Sequence, residues 1–254
     1  MDKDFPWSIK YYPGSKDPFI ISRSKIDLYL RCKRCAYLDM RLGIKGPKPF
    51  PYNLNSRIDT LLKNDFDEAR SKKEKTKYLK EAKINSIPYS HTELNIWREP
   101  FKAARFHHKE TNIIVAGSVD DLWQDIDTKQ ISVVDYKSTF TDKFDKLKKF
   151  DAPYLINYKR QVEIYQWILS NLGLDISLIS YFLYVNAKID QKTFDDKLDF
   201  EWTIIPYKSK DYSWVSETII EIKNFLETNN IPSSSNDCDL CKYMSKFFDF
   251  IKKK

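Results

Sequence analysis

Apolar residues recur at three- and four-residue intervals in some stretches of the chain and alternate or run together in others, dividing it into helical and extended segments. A helix is predicted over about 25–42, with Ser24 placed to cap it and Ile26, Tyr29, Leu30 and Leu38 spaced for burial. The Gly-Pro-Lys-Pro-Phe-Pro run at 46–51 ends it. A highly charged stretch over about 55–83 follows as one helix or two. Residues 112–116, 118–124 and 130–138 read as strands, with Asp127-Thr-Lys129 as a hairpin connection. Pro153 then opens a long helix reaching 172, closed by Gly173. Strands near 176–186 and 200–206, an amphipathic helix over about 213–228, a Ser-rich turn and a cysteine-bearing tail complete the chain. Residues 1–20, with Pro6, Pro13 and Pro18, read as an irregular arm. There is no internal repeat. The order predicts an α/β fold: a mixed-sheet core flanked by helices, with extra helices on the N-terminal side.

Composition narrows the function classes. The 254 residues suit one large domain or two small ones, and 42% hydrophobic with 31% charged residues is ordinary for a globular protein. Only 5 glycines are present, and neither a P-loop nor a dinucleotide-binding fingerprint occurs. A net charge of +7 favours polyanionic partners. The basic block from Arg70 to Lys83 is either a solvated face or a grip on phosphate backbone. No signal peptide is visible, and the longest apolar run, 176–185, is too short to cross a bilayer. The expectation is a cytoplasmic (intracellular) protein with no membrane partner.

Candidate chemistry lies in the middle of the chain. Gly117-Ser-Val-Asp-Asp-Leu-Trp places Asp120 in an apolar strand, where a carboxylate needs a partner. In Val-Val-Asp-Tyr-Lys-Ser-Thr, Asp135 and Lys137 point to one face of the next strand. Two carboxylates and an ammonium suit a hard cation and phosphodiester cleavage. The carbonyl of Tyr136 could add an oxygen ligand, and Mg²⁺, which keeps most of its waters, suits so sparse a set. Lys137 could orient or deprotonate the attacking water, or neutralise charge on the phosphate. The plainer alternative is a surface ion pair between Asp135 and Lys137. Gln161 and Tyr165, four apart on the long helix, share one face and could hydrogen-bond phosphate, a water or the carboxylates. Core packing is the simpler role for both.

All four cysteines fall into two C-x-x-C pairs, Cys32/Cys35 and Cys238/Cys241, which points to one four-thiolate metal site. Paired free thiols or disulfides are the alternatives. Zn²⁺ and a [4Fe–4S] cluster both accept this ligand set. In either case the site would close a loop of nearly the whole chain, a clasp joining its two ends.

Gly117 to Asp120, then Val134 to Ser138, then Gln161 to Tyr165 follow the order of motifs in the PD-(D/E)xK nuclease superfamily. The chain resembles its RecB-like branch, which includes the CRISPR-associated exonucleases with a four-cysteine cluster. The resemblance implies a restriction-endonuclease-like core in which Asp120 and Asp135 hold Mg²⁺ or Mn²⁺, Lys137 acts on the water, and Gln161 and Tyr165 complete the site. It also implies a [4Fe–4S] cluster, although the family's usual one-plus-three cysteine spacing differs from the two-plus-two spacing here, which keeps zinc open. Where the family carries an upstream histidine ligand, this chain has Asp59, either a substitute ligand or a surface acid. His91, His107 and His108 fit that place less well.

The implied function is a divalent-metal-dependent DNA nuclease acting on single strands or ends, with protein partners in DNA repair or CRISPR spacer acquisition. The alternative is a degenerate nucleic-acid-binding or assembly module on the same fold; a zinc-dependent scaffold is a third reading. Tyr136, Tyr158 and Trp167 are candidate base-stacking residues, with core packing as their alternative. One nuclease domain is expected over 1–254: a helical region at about 20–100, the core at about 101–210, and the C-terminal helix and clasp at about 211–254.

Overall fold

The structure, a computed structural model, describes residues 10–47, 50, 52–147 and 149–252. In chain order it runs through β1 (Phe19–Ser22), α1 (Arg23–Arg31), α2 (Lys33–Met40), α3 (Asn53–Lys72), α4 (Lys77–Glu81), β2 (Ser86–Pro88), α5 (Leu94–Trp97), β3 (Ala104–His108) and β4 (Ile113–Gly117). It continues with β5 (Asp121–Asp125), β6 (Ile131–Thr139), α6 (Phe144–Leu147), a 3₁₀ turn (Pro153–Leu155), α7 (Ile156–Asn171), β7 (Ile179–Ala187), β8 (Phe200–Lys208), α8 (Trp214–Glu227) and α9 (Asp239–Lys252). The fold is mixed α/β. The described residues divide into two compact units: those up to 50 with 105–116 and those from 213 on form one, and those over 52–104 and 117–212 the other.

In the first unit, a three-stranded sheet in the order β1-β4-β3 carries β1 parallel to β4, with Phe19 opposite Ile113. Helices α1, α2 and α8 pack through aromatic edges: Phe225 meets Tyr29 at 5.2 Å and Tyr37 at 5.5 Å between ring centroids. The single helix expected over 25–42 is two. Cys32 adopts an extended backbone (φ −156°, ψ 105°) that ends α1 and starts α2. The first helix also starts earlier than expected. Ser22 is its N-cap, and its hydroxyl pairs with that of Ser24 at 2.7 Å instead of capping a backbone amide. Residues 1–9 of the expected irregular arm lie outside the described residues, as do 48, 49 and 51 of the Pro-rich break. The end of that arm is strand β1, a short buried run whose lack of alternation hid its type.

The second unit is built on a five-stranded sheet in the order β2-β5-β6-β7-β8. Its pairs are antiparallel except β6 with β7, which run parallel with Asp135 opposite Phe182. That parallel step needs a crossover, and α7 supplies it. One face of the sheet packs on α3: Leu62 and Phe66 meet Trp123, Val134, Tyr136 and Leu183, with Phe66 stacked on Trp123 at 5.1 Å. The other face meets α7, where Tyr158 lies 6.5 Å from Phe182 between centroids. Alternation along β6 therefore sends Val134 and Tyr136 to the apolar α3 side and Asp135 and Lys137 to the α7 side. The hairpin at 127–129 forms as expected between antiparallel β5 and β6. Among the described residues, no helix is long and apolar enough to cross a membrane.

Candidate active site and candidate metal centre

The registers of β5 and β6 bring the two aspartates together. Asp121 lies opposite Val134, which carries the preceding Asp120 to the level of Asp135. Asp120 sits in a bend just before β5 and not inside an apolar strand as its neighbours suggested. The ladder begins only at Asp121, so the Asp120 backbone is free to turn its carboxylate toward β6. There Oδ2 accepts the Tyr136 N–H at 2.9 Å.

Asp135 is 1% exposed. Its Oδ1 accepts the Gln161 amide at 2.6 Å, and its Oδ2 is ion-paired with the Lys137 ammonium. Gln161 also donates to the Tyr165 hydroxyl at 3.2 Å, so the two residues on one stripe of α7 meet the acid as a unit. A β-carbon at Gly117 would lie 2.6 Å from the Tyr165 ring, inside van der Waals contact. Only a residue without that carbon lets Tyr165 occupy its place. Burial opposes the charge on Lys137, but Asp135 and Asp120 outweigh it and raise the pKa, so the side chain is a firm ammonium at neutral pH. Its Nζ also stands 4.7 Å over the Tyr158 ring.

Asp59 approaches from α3. Its Oδ2 lies 2.8 Å from the Lys63 Nζ, one helical turn on, and the same ammonium is 3.6 Å from Asp120 Oδ1. Burial, then the nearby Asp120 charge, raises the Asp59 pKa against the pull of Lys63. Thus Asp59, Asp120, Asp135, Lys137, Gln161 and Tyr165 are gathered on the second unit. Among the described residues, however, no three acidic oxygens come as close together as the four thiols do. Protein carboxylates at this site would leave most of a hard cation's coordination sphere to water.

Several assignments change. Tyr136 contributes its backbone amide to Asp120, while its ring is 7% exposed and its hydroxyl donates to Asp121 Oδ2 at 2.7 Å. It cannot stack on a base, and neither can Trp167, which is 4% exposed. Tyr158 is half-buried beneath Lys137. His91 stacks on Trp97 at 4.3 Å, and His107 and His108 bond within their own turn to Asn112 and Thr111.

Arg70 is no part of a solvated face. It pairs with Asp121 and Asp67, and Arg98 joins them with bonds of 3.0 Å to Asp121 and 2.8 Å to Asp67. The Nε of Arg98 donates to the Asp120 carbonyl at 2.9 Å, which pins the bend that aims Asp120. Asp121, Arg98, Asp67 and Lys63 were not singled out from the sequence. The Asp120-Asp121 doublet and the i, i+4 spacing of Asp59 and Lys63 were the available signals.

The cysteines form a second centre, in the first unit. Cys35 Sγ is 3.5 Å from both Cys238 and Cys241, Cys32 is 3.8 Å from Cys241, and all four sulfurs lie within 4.8 Å of one another. They could hold a metal such as zinc or an iron–sulfur cluster. The extended backbone at Cys32 lets a C-x-x-C pair at a helix start present both sulfurs to one point. Burial pushes Cys35 and Cys241 up, the latter to about 11. Cys32 is buried too, yet backbone N–H groups of Cys35 and Ser235 and the Cys238 thiol bring it down to about 7. The N- and C-terminal regions meet here, since α9 carries Cys241 in its first turn.

No protein-family model matches the chain, and no curated protein matches it in sequence.

Proposed function

We propose that the chain is a Mg²⁺- or Mn²⁺-dependent deoxyribonuclease with a restriction-endonuclease-like core, acting on single strands or ends. The observation that carries this reading is the buried Asp135, tied to Gln161 on one side and Lys137 on the other and level with an Asp120 aimed at the same strand. Burying a carboxylate carries a desolvation cost even when it is paired, and such groups cluster at functional sites. The donor set is hard and oxygen-rich, which fits a largely hydrated Mg²⁺ or Mn²⁺ held by Asp120 and Asp135, with Asp59 nearby. Such an ion, when bound, acidifies water and screens the charge of the phosphodiester. Lys137 adds a fixed positive charge where negative charge grows on the phosphate, and Gln161 with Tyr165 keeps Asp135 in one orientation. The net charge of +7 favours a polyanionic substrate.

Sulfur separations of 3.5, 3.5 and 3.8 Å, with all four sulfurs within 4.8 Å of one another, support one tetrahedral ion at the cysteines. A tetrahedron with metal–sulfur bonds of about 2.3 Å has edges of about 3.8 Å. In a [4Fe–4S] cluster each thiolate binds its own iron, and the sulfurs stand farther apart. Zinc is therefore the reading we adopt over the iron–sulfur cluster, with a structural role.

One observation favours the second reading, a binding module on a degenerate core: each acid of the site already faces a lysine. Cleavage of labelled single- and double-stranded DNA with Mg²⁺, Mn²⁺ or EDTA, alongside Asp135→Ala, separates the two. Metal-dependent cutting that drops at least about a thousandfold in the variant supports the nuclease. Tight DNA binding without cutting in any metal would instead establish the module.

A further inference from the structure

Lys63 belongs to neither the motifs nor the phosphate-facing lysine of the proposed reaction, yet its ammonium stands between two carboxylates of the candidate site. It lies 2.8 Å from Asp59 Oδ2, a full hydrogen-bonded ion pair, and 3.6 Å from Asp120 Oδ1, beyond hydrogen-bond reach. The other oxygen of Asp120 is taken by the Tyr136 N–H. The Asp120 oxygen that accepts no hydrogen bond, and so is the more open to a cation, is the one that Lys63 faces.

From this geometry we infer that Lys63 is an internal placeholder cation, which holds Asp59 and Asp120 in place in the metal-free protein and gives up Asp120 when a divalent ion binds. The inference rests on the nuclease reading of this site and names what tunes it. A divalent ion bonds a carboxylate oxygen at about 2.0–2.6 Å. Placed on Asp120 Oδ1, it would meet the ammonium at close quarters, and two positive centres repel there in a partly buried setting. The side chain of Lys63 is 20% exposed and ends a flexible four-carbon stem, so it can swing away while Asp59 stays on its helix. The ion must then displace the lysine as well as bind. Competition of this kind lowers apparent metal affinity and removes the need for metal to fold the site.

Lys63→Met is nearly isosteric and carries no charge. Titration of Mn²⁺ into the purified protein, read by calorimetry and by the loss of free Mn²⁺ signal in electron paramagnetic resonance, should show Lys63→Met binding on the order of tenfold tighter than the unaltered chain. Asp120→Asn abolishes the binding in both backgrounds and so identifies the site. In buffer free of Mg²⁺ and Mn²⁺, without chelator, Lys63→Met should melt below the unaltered chain, and saturating Mn²⁺ should close the gap. Equal or weaker Mn²⁺ binding by Lys63→Met overturns the inference. Should that variant fail to fold, the Lys63 side-chain ammonium signal in the unaltered protein decides by nuclear magnetic resonance. It should shift on Mg²⁺ titration, and an unmoved signal at saturating Mg²⁺ overturns the inference.

The two readings fail separately. DNA cleavage that needs Asp135, combined with unchanged Mn²⁺ affinity in Lys63→Met, removes the placeholder and leaves the nuclease. A protein that neither cuts DNA nor binds Mn²⁺ at Asp120 removes both.

Discussion

The thiol centre in the first unit and the carboxylate centre in the second solve the same physical problem, gathering groups that repel when ionised, in opposite ways. At the cysteines, four sulfurs within 4.8 Å of one another share hydrogen bonds among themselves, and burial holds Cys35 and Cys241 protonated. At the acids, cations come from the chain itself: Lys137 on Asp135, Lys63 between Asp59 and Asp120, and two arginines on Asp121. The thiol centre could thus exchange protons for a metal, whose binding would then become folding energy. The acid centre is electrostatically assembled beforehand and can hold its shape while ligands come and go. The proposed structural clasp and the proposed reaction site call for that difference.

The sharpest way to break the contrast is to remove a thiol. Cys241→Ser should lower metal content from one ion per chain to less than one and cost about 5 kcal/mol or more, a fall in melting temperature of at least about 10 °C. Chelation of the unaltered protein should reproduce the loss, whereas dialysis into Mg²⁺-free buffer without chelator should not. Metal analysis with thermal melts checks this, and an unchanged melt would mean that the thiols pack as an ordinary apolar cluster.

Asp121→Asn probes the other centre. It is fully buried and neutralises both Arg70 and Arg98, so its loss leaves buried guanidinium charge for the half-exposed Asp67 to balance. We expect about 3 kcal/mol of destabilisation in denaturant melts, with metal content at the cysteines unchanged. Because Arg98 also holds the Asp120 carbonyl, Mn²⁺ affinity should fall along with stability. A cost under about 1 kcal/mol would show that Asp67 alone suffices.

The smallest effect sharpens the contrast at high pH. Burial, then the Glu221 charge that accepts the Tyr29 hydroxyl at 3.2 Å, raises the Tyr29 pKa from 10.0 to about 12. A pKa raised by folding means that the folded state favours the neutral phenol. Its contribution is therefore whole below pH 10 and lost as the pH rises through about 12. Melts across that window should decline less steeply in Tyr29→Phe than in the unaltered chain. Identical slopes would assign the alkaline loss elsewhere.

Much of this was legible in the chain. The long crossover helix closed by Gly173, the hairpin at 127–129 and the strands around Asp135 follow from period and turn chemistry, because those signals are local. The strands β1, β2 and β3 were not visible: β1 is a buried run without alternation, β2 spans three residues, and β3 is a polar, mostly half-buried strand. The break at Cys32 was also hidden, since helical spacing continues across it. Of the residues brought together around Asp135, Asp120, Lys137, Gln161 and Tyr165 had been singled out from residue type and spacing. Lys63, Arg98 and Asp121 were not, because a lysine on a charged helix looks solvated until a strand turn from another element faces it.

By itself, the sequence determined the alternation that puts Asp135 and Lys137 on one face of a strand, the i, i+4 stripe of Gln161 and Tyr165, and the pairing of cysteines two by two. These are consequences of backbone geometry over a few residues, which any local reading reaches. Only the tertiary structure decided which acid meets which cation and that Arg70 is mostly buried instead of solvated. Charge and ligand contacts act over a few ångströms in space, and sequence distance carries no information about them until the fold has brought the partners together.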